Sequence, residues 1–138
     1  TYDCCCIRPD VYQFCKARVE NGCADTYSYI FVPVFKLNDG FTASHSTDIA
    51  FIFNNIHMVP STYLDGKEQD LQYEMVGRLL NFARNNSPQL EGRSIWHPAN
   101  SQILPTMIFD RNTEERVDFD KKLMEELGKI KTFNLIVG

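Results

Sequence analysis

Residues 26–34, Thr-Tyr-Ser-Tyr-Ile-Phe-Val-Pro-Val, constrain the fold more than any other part of the chain. Their β-branched and aromatic side chains suit a pleated strand. A strand with one wet face alternates apolar and polar residues. This one is apolar at nearly every position, the mark of a strand covered on both faces at the centre of an α/β sheet. Such a strand needs helices to cover it and partner strands beside it. A chain of 138 residues supplies enough material for one domain over residues 1–138, burying roughly two-thirds of its unfolded surface.

The flanking patterns are consistent with that requirement. Residues 9–21 read as a helix with Pro9 in the first turn, Gly22 past the end, and Val11, Phe14, Cys15 and Val19 on one stripe. Asn38-Asp39-Gly40 is a turn signal, and residues 49–56 form an apolar run that periodicity does not assign. Residues 57–66 read as loop. Residues 68–84 give the clearest helix, with Leu71, Met75, Leu79, Phe82 and Ala83 on one stripe and Asp65 set three residues before Glu68 as in a capping box. Asn85-Asn86-Ser87-Pro88 stops it.

A long loop then carries the lone tryptophan, Trp96, expected as a packing anchor. Residues 103–109 and 116–119 form a predicted hairpin, with Pro105 placing the first strand near a sheet edge or making it irregular there. Asp120 is positioned to cap a last helix over residues 121–130, ahead of a short apolar tail at 132–137. The order is helix, strand, loop, helix, hairpin, helix. It makes a piece of an α/β sheet, and the strand at 26–34 lacks a parallel neighbour upstream.

Composition narrows the function classes. The net charge is −4 and the basic residues are scattered, Lys121-Lys122 being the densest pair, so no nucleic-acid surface is expected. No apolar run approaches the roughly 18 residues of a membrane span. Cys4, Cys5, Cys6, Cys15 and Cys23 contain no C-x-x-C pair, which argues against a zinc or thioredoxin-type site. Free thiols favour a reducing compartment such as the cytoplasm. The N-terminal residues, without a methionine or a signal-like segment, read as cut from something longer.

Chemistry concentrates in Thr42-Ala43-Ser44-His45-Ser46-Thr47-Asp48. A histidine on a small polar loop can move a proton, but hydrolysis also needs a nucleophile and an orienting carboxylate. Ser44 and Ser46 adjoin His45, and neighbours on one loop do not aim their side chains at each other. His45, Asp48 and His57 lack a further ligand for a metal. His57 and His97 are expected to be structural or exposed. Phe51, Phe53 and Met58 are expected in the core.

Taken together, these motifs resemble the C-terminal part of type-B carboxylesterases, the para-nitrobenzyl esterase and cholinesterase relatives within the α/β-hydrolase superfamily. Tyr27-Ser28-Tyr29-Ile30-Phe31 is similar to the family's V-Y-x-Y-x-F strand. Ala43-Ser44-His45-Ser46-Thr47-Asp48-Ile49 resembles its G-A-x-H-G-x-[DE]-[IL] loop. Asn81-Phe82-Ala83-Arg84 with Ser87-Pro88 resembles N-F-A-x-T-G-N-P, Trp96-His97-Pro98 stands where the family has W-P, and residues 105–110 resemble its p-t-M-v-F-d strand. Thr42 and Ser46 replace family glycines, and Leu79 replaces a tryptophan.

The resemblance implies an α/β fold, specifically the C-terminal portion of an α/β-hydrolase: sheet strands flanked by helices, then a hairpin and a helix. It implies that His45 is the catalytic general base and that Asp48 belongs to a polar network supporting it. No metal or cofactor is implied. The family's G-x-S-x-G nucleophile elbow is absent from these 138 residues. The expected partners are therefore an upstream part of the same enzyme, carrying nucleophile, acid and oxyanion hole, and a small ester substrate. The isolated chain is expected to be inactive. The alternative is a non-catalytic binding module derived from a hydrolase. In either case an exposed sheet edge would favour self-association.

Overall fold

A computed structural model describes residues 7–129. Helix α1 (Arg8–Glu20) starts with proline in its first turn and ends before Gly22, whose φ is 63°. Strand β1 (Ser28–Phe31) is shorter than residues 26–34 suggest. Pro33 has no N–H for a ladder, and the chain leaves the sheet there to form a small antiparallel hairpin of β2 (Val34–Phe35) and β3 (Phe41–Thr42). The Asn38-Asp39-Gly40 turn closes that hairpin, with Gly40 at φ 128°.

A single turn of helix, α2 (Ile49–Ile52), resolves part of the unassigned apolar run, and two 3-10 turns follow it. Helix α3 (Glu68–Asn85) ends where Asn86 adopts φ 55° and donates its N–H to the Phe82 carbonyl at 2.8 Å. The expected Asp65 cap does not form. The Glu68 carboxylate reaches back to the Leu64 N–H at 2.9 Å, and Asp65 pairs with Lys36 and Arg111. A chain without regular structure leads to β4 (Pro105–Phe109), a tight turn to β5 (Glu114–Val117), and helix α4 (Lys121–Lys129).

The main sheet has the order β1-β4-β5, with β1 parallel to β4 and β4 antiparallel to β5. The parallel neighbour of β1 thus lies downstream in sequence. The doubly covered strand among the described residues is β4, buried throughout, while β1 has a single strand partner. Pro105 does not mark an edge, as the sequence suggested. It opens the central strand as its first residue, a position that tolerates the missing N–H.

Side chains alternate across β1. Tyr27, Tyr29 and Phe31 face a core of Phe35, Phe51, Leu71, Met75, Trp96 and Phe109, with Leu64 and Met107 completely inaccessible. Ser28 faces α1 and α4. There the buried Arg8 guanidinium donates to Ser28 Oγ at 2.7 Å, to Thr106 Oγ1 at 2.9 Å and to Asp120 Oδ2 at 2.7 Å. One side chain thereby ties α1, β1, β4 and the start of α4 together, and Asp120 serves this pair. Of the expected α1 stripe, Cys15 is buried and Val11 and Val19 are half-buried, while Phe14 is exposed. In α3, Leu71 and Met75 are buried while Leu79 and Phe82 remain partly open. In α4, Met124 is buried and Leu123 is exposed. Cys4, Cys5, Cys6, Ile130 and the apolar tail lie outside the described residues. No helix among the described residues is long and apolar enough to cross a membrane.

Candidate active site

His45 opens a turn over residues 45–48 between β3 and α2, with its side chain exposed. The turn is braced from within. Thr47 Oγ1 donates to the Ser44 carbonyl at 2.7 Å and accepts the Ser44 N–H at 3.1 Å. The Ala43 N–H reaches the Pro33 carbonyl at 3.0 Å. The bend itself requires Ser46 at φ 69°, a left-handed conformation that a side chain disfavours by roughly 1–2 kcal/mol. This is the position at which the resembled loop carries glycine.

Asp48 closes the turn and starts α2, its carbonyl accepting the N–H groups of Phe51 and Ile52 at 3.0 Å. Its carboxylate is half-buried and accepts the Tyr29 hydroxyl at 2.6 Å. Burial raises the Tyr29 pKa well above the ordinary tyrosine range, and the bond to Asp48 adds to it. Tyr29 is therefore a proton donor to Asp48 throughout the neutral range. Sequence reasoning singled out Asp48 but missed Tyr29. The available signal was its place in the aromatic strand, four side chains of which read equally as core.

Two depressions flank the histidine. One, of about 390 Å³, runs from Tyr27 to Phe31 along the β1 edge that has no strand neighbour among the described residues, and ends at Ser44, His45, Ser46 and Asp48. The other, of about 300 Å³, lies between His45 and Phe35, Phe41, Asn55 and Thr62. No hydroxyl nucleophile or second carboxylate is hydrogen-bonded to the His45 ring among the described residues. Ser44 and Ser46 are exposed neighbours on the same turn.

The remaining candidates fall elsewhere. His57 is exposed on a 3-10 turn. His97 pairs through Nδ1 with Glu115 Oε1 at 2.8 Å, tying the long loop to β5. Phe51 is in the core, but Phe53 and Met58 are exposed, contrary to expectation. Trp96 packs edge-on against Tyr27, Tyr29 and Phe109 as an anchor. Cys15 is a buried free thiol whose pKa burial raises, and Cys23 is free and exposed. Among the described residues no cluster of histidine, cysteine or carboxylate side chains is arranged to hold a metal.

Comparison with known proteins places this geometry. The model of the carboxylesterase family matches residues 4–126. Among solved structures, an esterase from anaerobic Clostridium hathewayi that can hydrolyze aliphatic aromatic polyesters is 31% identical and superposes with a TM-score of 0.80. That match covers 86% of this chain and 24% of the esterase. The carboxylesterase of Geobacillus stearothermophilus gives a TM-score of 0.69 at 19% identity over 84% of this chain and 24% of its own. A thermophilic PNB esterase gives 0.69 at 17% identity, with 78% and 23% covered. No curated protein sequence matches significantly. The chain spans about a quarter of the length of these structures, all of the α/β-hydrolase fold. With a family model matched over nearly its whole length, the chain belongs to the carboxylesterase family.

Proposed function

We propose that these 138 residues are the C-terminal segment of a serine carboxylesterase, forming one structural unit whose His45 is the triad base. The observation that carries this reading is the position of His45. It stands, without a side-chain hydrogen-bond partner among the described residues, at the end of a groove along the β1 edge that has no strand neighbour among those residues. An added strand on that edge would extend the sheet, and the residues following it could approach the imidazole. The segment's partner is then the upstream part of the same enzyme, which contributes nucleophile, triad acid and oxyanion hole.

In that assembly the His45 ring accepts the serine proton as the oxygen attacks the ester carbonyl. It returns the proton to the departing alcohol, leaving an acyl-enzyme. The same exchange with water releases the acid. Acid–base transfer of this kind contributes roughly 10²–10⁴-fold. Asp48 supports the turn and takes no proton from the ring.

The test has two arms. The purified chain, offered a p-nitrophenyl ester, is expected to show no turnover above background. Turnover that disappears in His45→Ala would refute the dependence on an upstream partner. Reading the gene upstream of Thr1 is expected to give a G-x-S-x-G elbow in frame. A gene beginning at this point would instead favour a non-catalytic binding module.

A further inference from the structure

We infer that Tyr29 is a positioning residue for His45, acting through Asp48; this rests on the reading of His45 as the catalytic base. Among the described residues, one side-chain hydrogen bond joins the main sheet to the histidine turn, and it is Tyr29 Oη to Asp48 Oδ2 at 2.6 Å. The turn's other side-chain bonds, between Thr47 and Ser44, are internal to it.

The strand end of this tether is stiff. Tyr29 lies in β1 opposite Met107, which is inaccessible to solvent. Its ring is wedged edge-on against Phe109 at 5.5 Å and Trp96 at 6.5 Å between centroids. Both aromatic partners are buried. The other end is equally placed to matter. Asp48 is three residues from His45 and its backbone carbonyl begins α2, so fixing this carboxylate fixes both ends of the bend. Tyr29, His45 and Asp48 all line the groove along the β1 edge. The bond therefore sets the height of the imidazole relative to that edge, where the reacting serine would arrive. Displacing a catalytic group by about 1 Å lowers turnover steeply.

Tyr29→Phe removes the hydroxyl and keeps the ring. In this 138-residue chain, amide hydrogen exchange followed by NMR is expected to rise roughly tenfold at Thr47, Ile49, Phe51 and Ile52. Exchange in β4 and α3 should not change. Asp48→Ala, which removes the acceptor, should match it, and the double variant should be no worse than either. Tyr27→Phe, whose ring sits on the same face and does not touch Asp48, should leave the turn unchanged. Unaltered exchange at 47–52 in Tyr29→Phe would overturn the inference.

The second readout uses the chain joined to its upstream portion. Tyr29→Phe is expected to lower kcat about tenfold with KM unchanged. A change in KM alone, or none, would show that Tyr29 does not position the base. Retention of kcat in His45→Ala would sink the reading of His45 itself, and the exchange result would still decide whether Tyr29 holds the turn.

Discussion

Two irregular segments of this molecule are held in opposite ways. Residues 86–104 run without regular structure, yet several of their backbone carbonyls and side chains are met from inside the domain, the buried Trp96 Nε1 being an exception. The buried Arg78 guanidinium donates to Glu74 Oε1 at 2.8 Å and to the carbonyls of Pro88 at 3.2 Å and Ser94 at 2.8 Å. Gln89 exchanges hydrogen bonds with the Trp96 backbone, and Arg93 reaches both Asp70 and Glu74. The segment 43–48 is as irregular and has one side-chain bond to the main sheet. Its histidine and both serines, Ser46 in a left-handed conformation, face outward. A loop satisfied from within is scaffold. A loop whose histidine has no partner among the described residues, beside a strand edge also without one among them, is, on the proposed function, the place where the upstream part docks.

The largest effect should come from removing the centre of the satisfied loop. Arg78→Ala leaves the Glu74 carboxylate buried without its main partner and two carbonyls unmet. Breaking a buried pair from one side costs about 3–5 kcal/mol. Urea denaturation should show that loss. A cost below about 1 kcal/mol would mean the pair behaves like a surface one and that the two loops do not differ in kind.

A smaller effect is expected on the other side. Tyr29→Phe should cost about 1–2 kcal/mol, one hydrogen bond to a charged group at a partly open site. It should also change the response to alkali. The folded-state pKa of Tyr29 is raised above that of an unfolded tyrosine, about 10. Its contribution to stability is therefore full below pH about 10 and is lost as pH rises beyond it. Melting temperatures measured across that range should fall more steeply for the native chain than for Tyr29→Phe. Equal slopes would mean that Tyr29 ionises alike in both states.

How much of this was legible beforehand follows from the range of the interactions. Helix α3, the hairpin and the termination at Asn86 depend on local pattern, and they lie close to where periodicity and turn residues put them. His45 was visible because a polar loop with one histidine is itself a local pattern. The Arg8–Asp120 pair was not, because its members lie 112 residues apart and meet only across the folded sheet. Tyr29 was hidden for a related reason: apolar character was visible at 26–34, but which hydroxyl meets Asp48 depends on how the chain turns at Pro33. Arg78 was not singled out, since nothing nearby announces that a later loop folds back over it. The exposure of Phe14, Leu79 and Phe82 was equally invisible. Periodicity marks a face as apolar without saying what covers it.

Ser46→Gly sharpens the contrast at finer scale. The left-handed backbone at Ser46 costs roughly 1–2 kcal/mol with a side chain. Glycine would remove that strain while adding unfolded-state entropy worth about 0.4–1 kcal/mol. The net expectation is a gain of about 0.5 kcal/mol in the folding free energy. A loss would mean that the serine side chain contributes a contact outweighing its strain.

The smallest effect should belong to the residue proposed as the catalytic base. His45 is exposed, and no hydrogen bond to its ring is present among the described residues, so His45→Ala removes nothing the fold uses. Its stability should lie within about 0.5 kcal/mol of the native chain by urea denaturation, the range of surface substitutions away from structural features. In the longer esterase proposed above the same change should abolish turnover. Arg78→Ala would do the reverse, destabilising the domain while leaving the chemistry of the remaining folded fraction intact. A cost above about 1 kcal/mol for His45→Ala would show that the ring already has a structural partner in this domain. The imidazole would then be no vacancy awaiting a serine, and the distinction between the satisfied loop and the open one would fail at its most important residue.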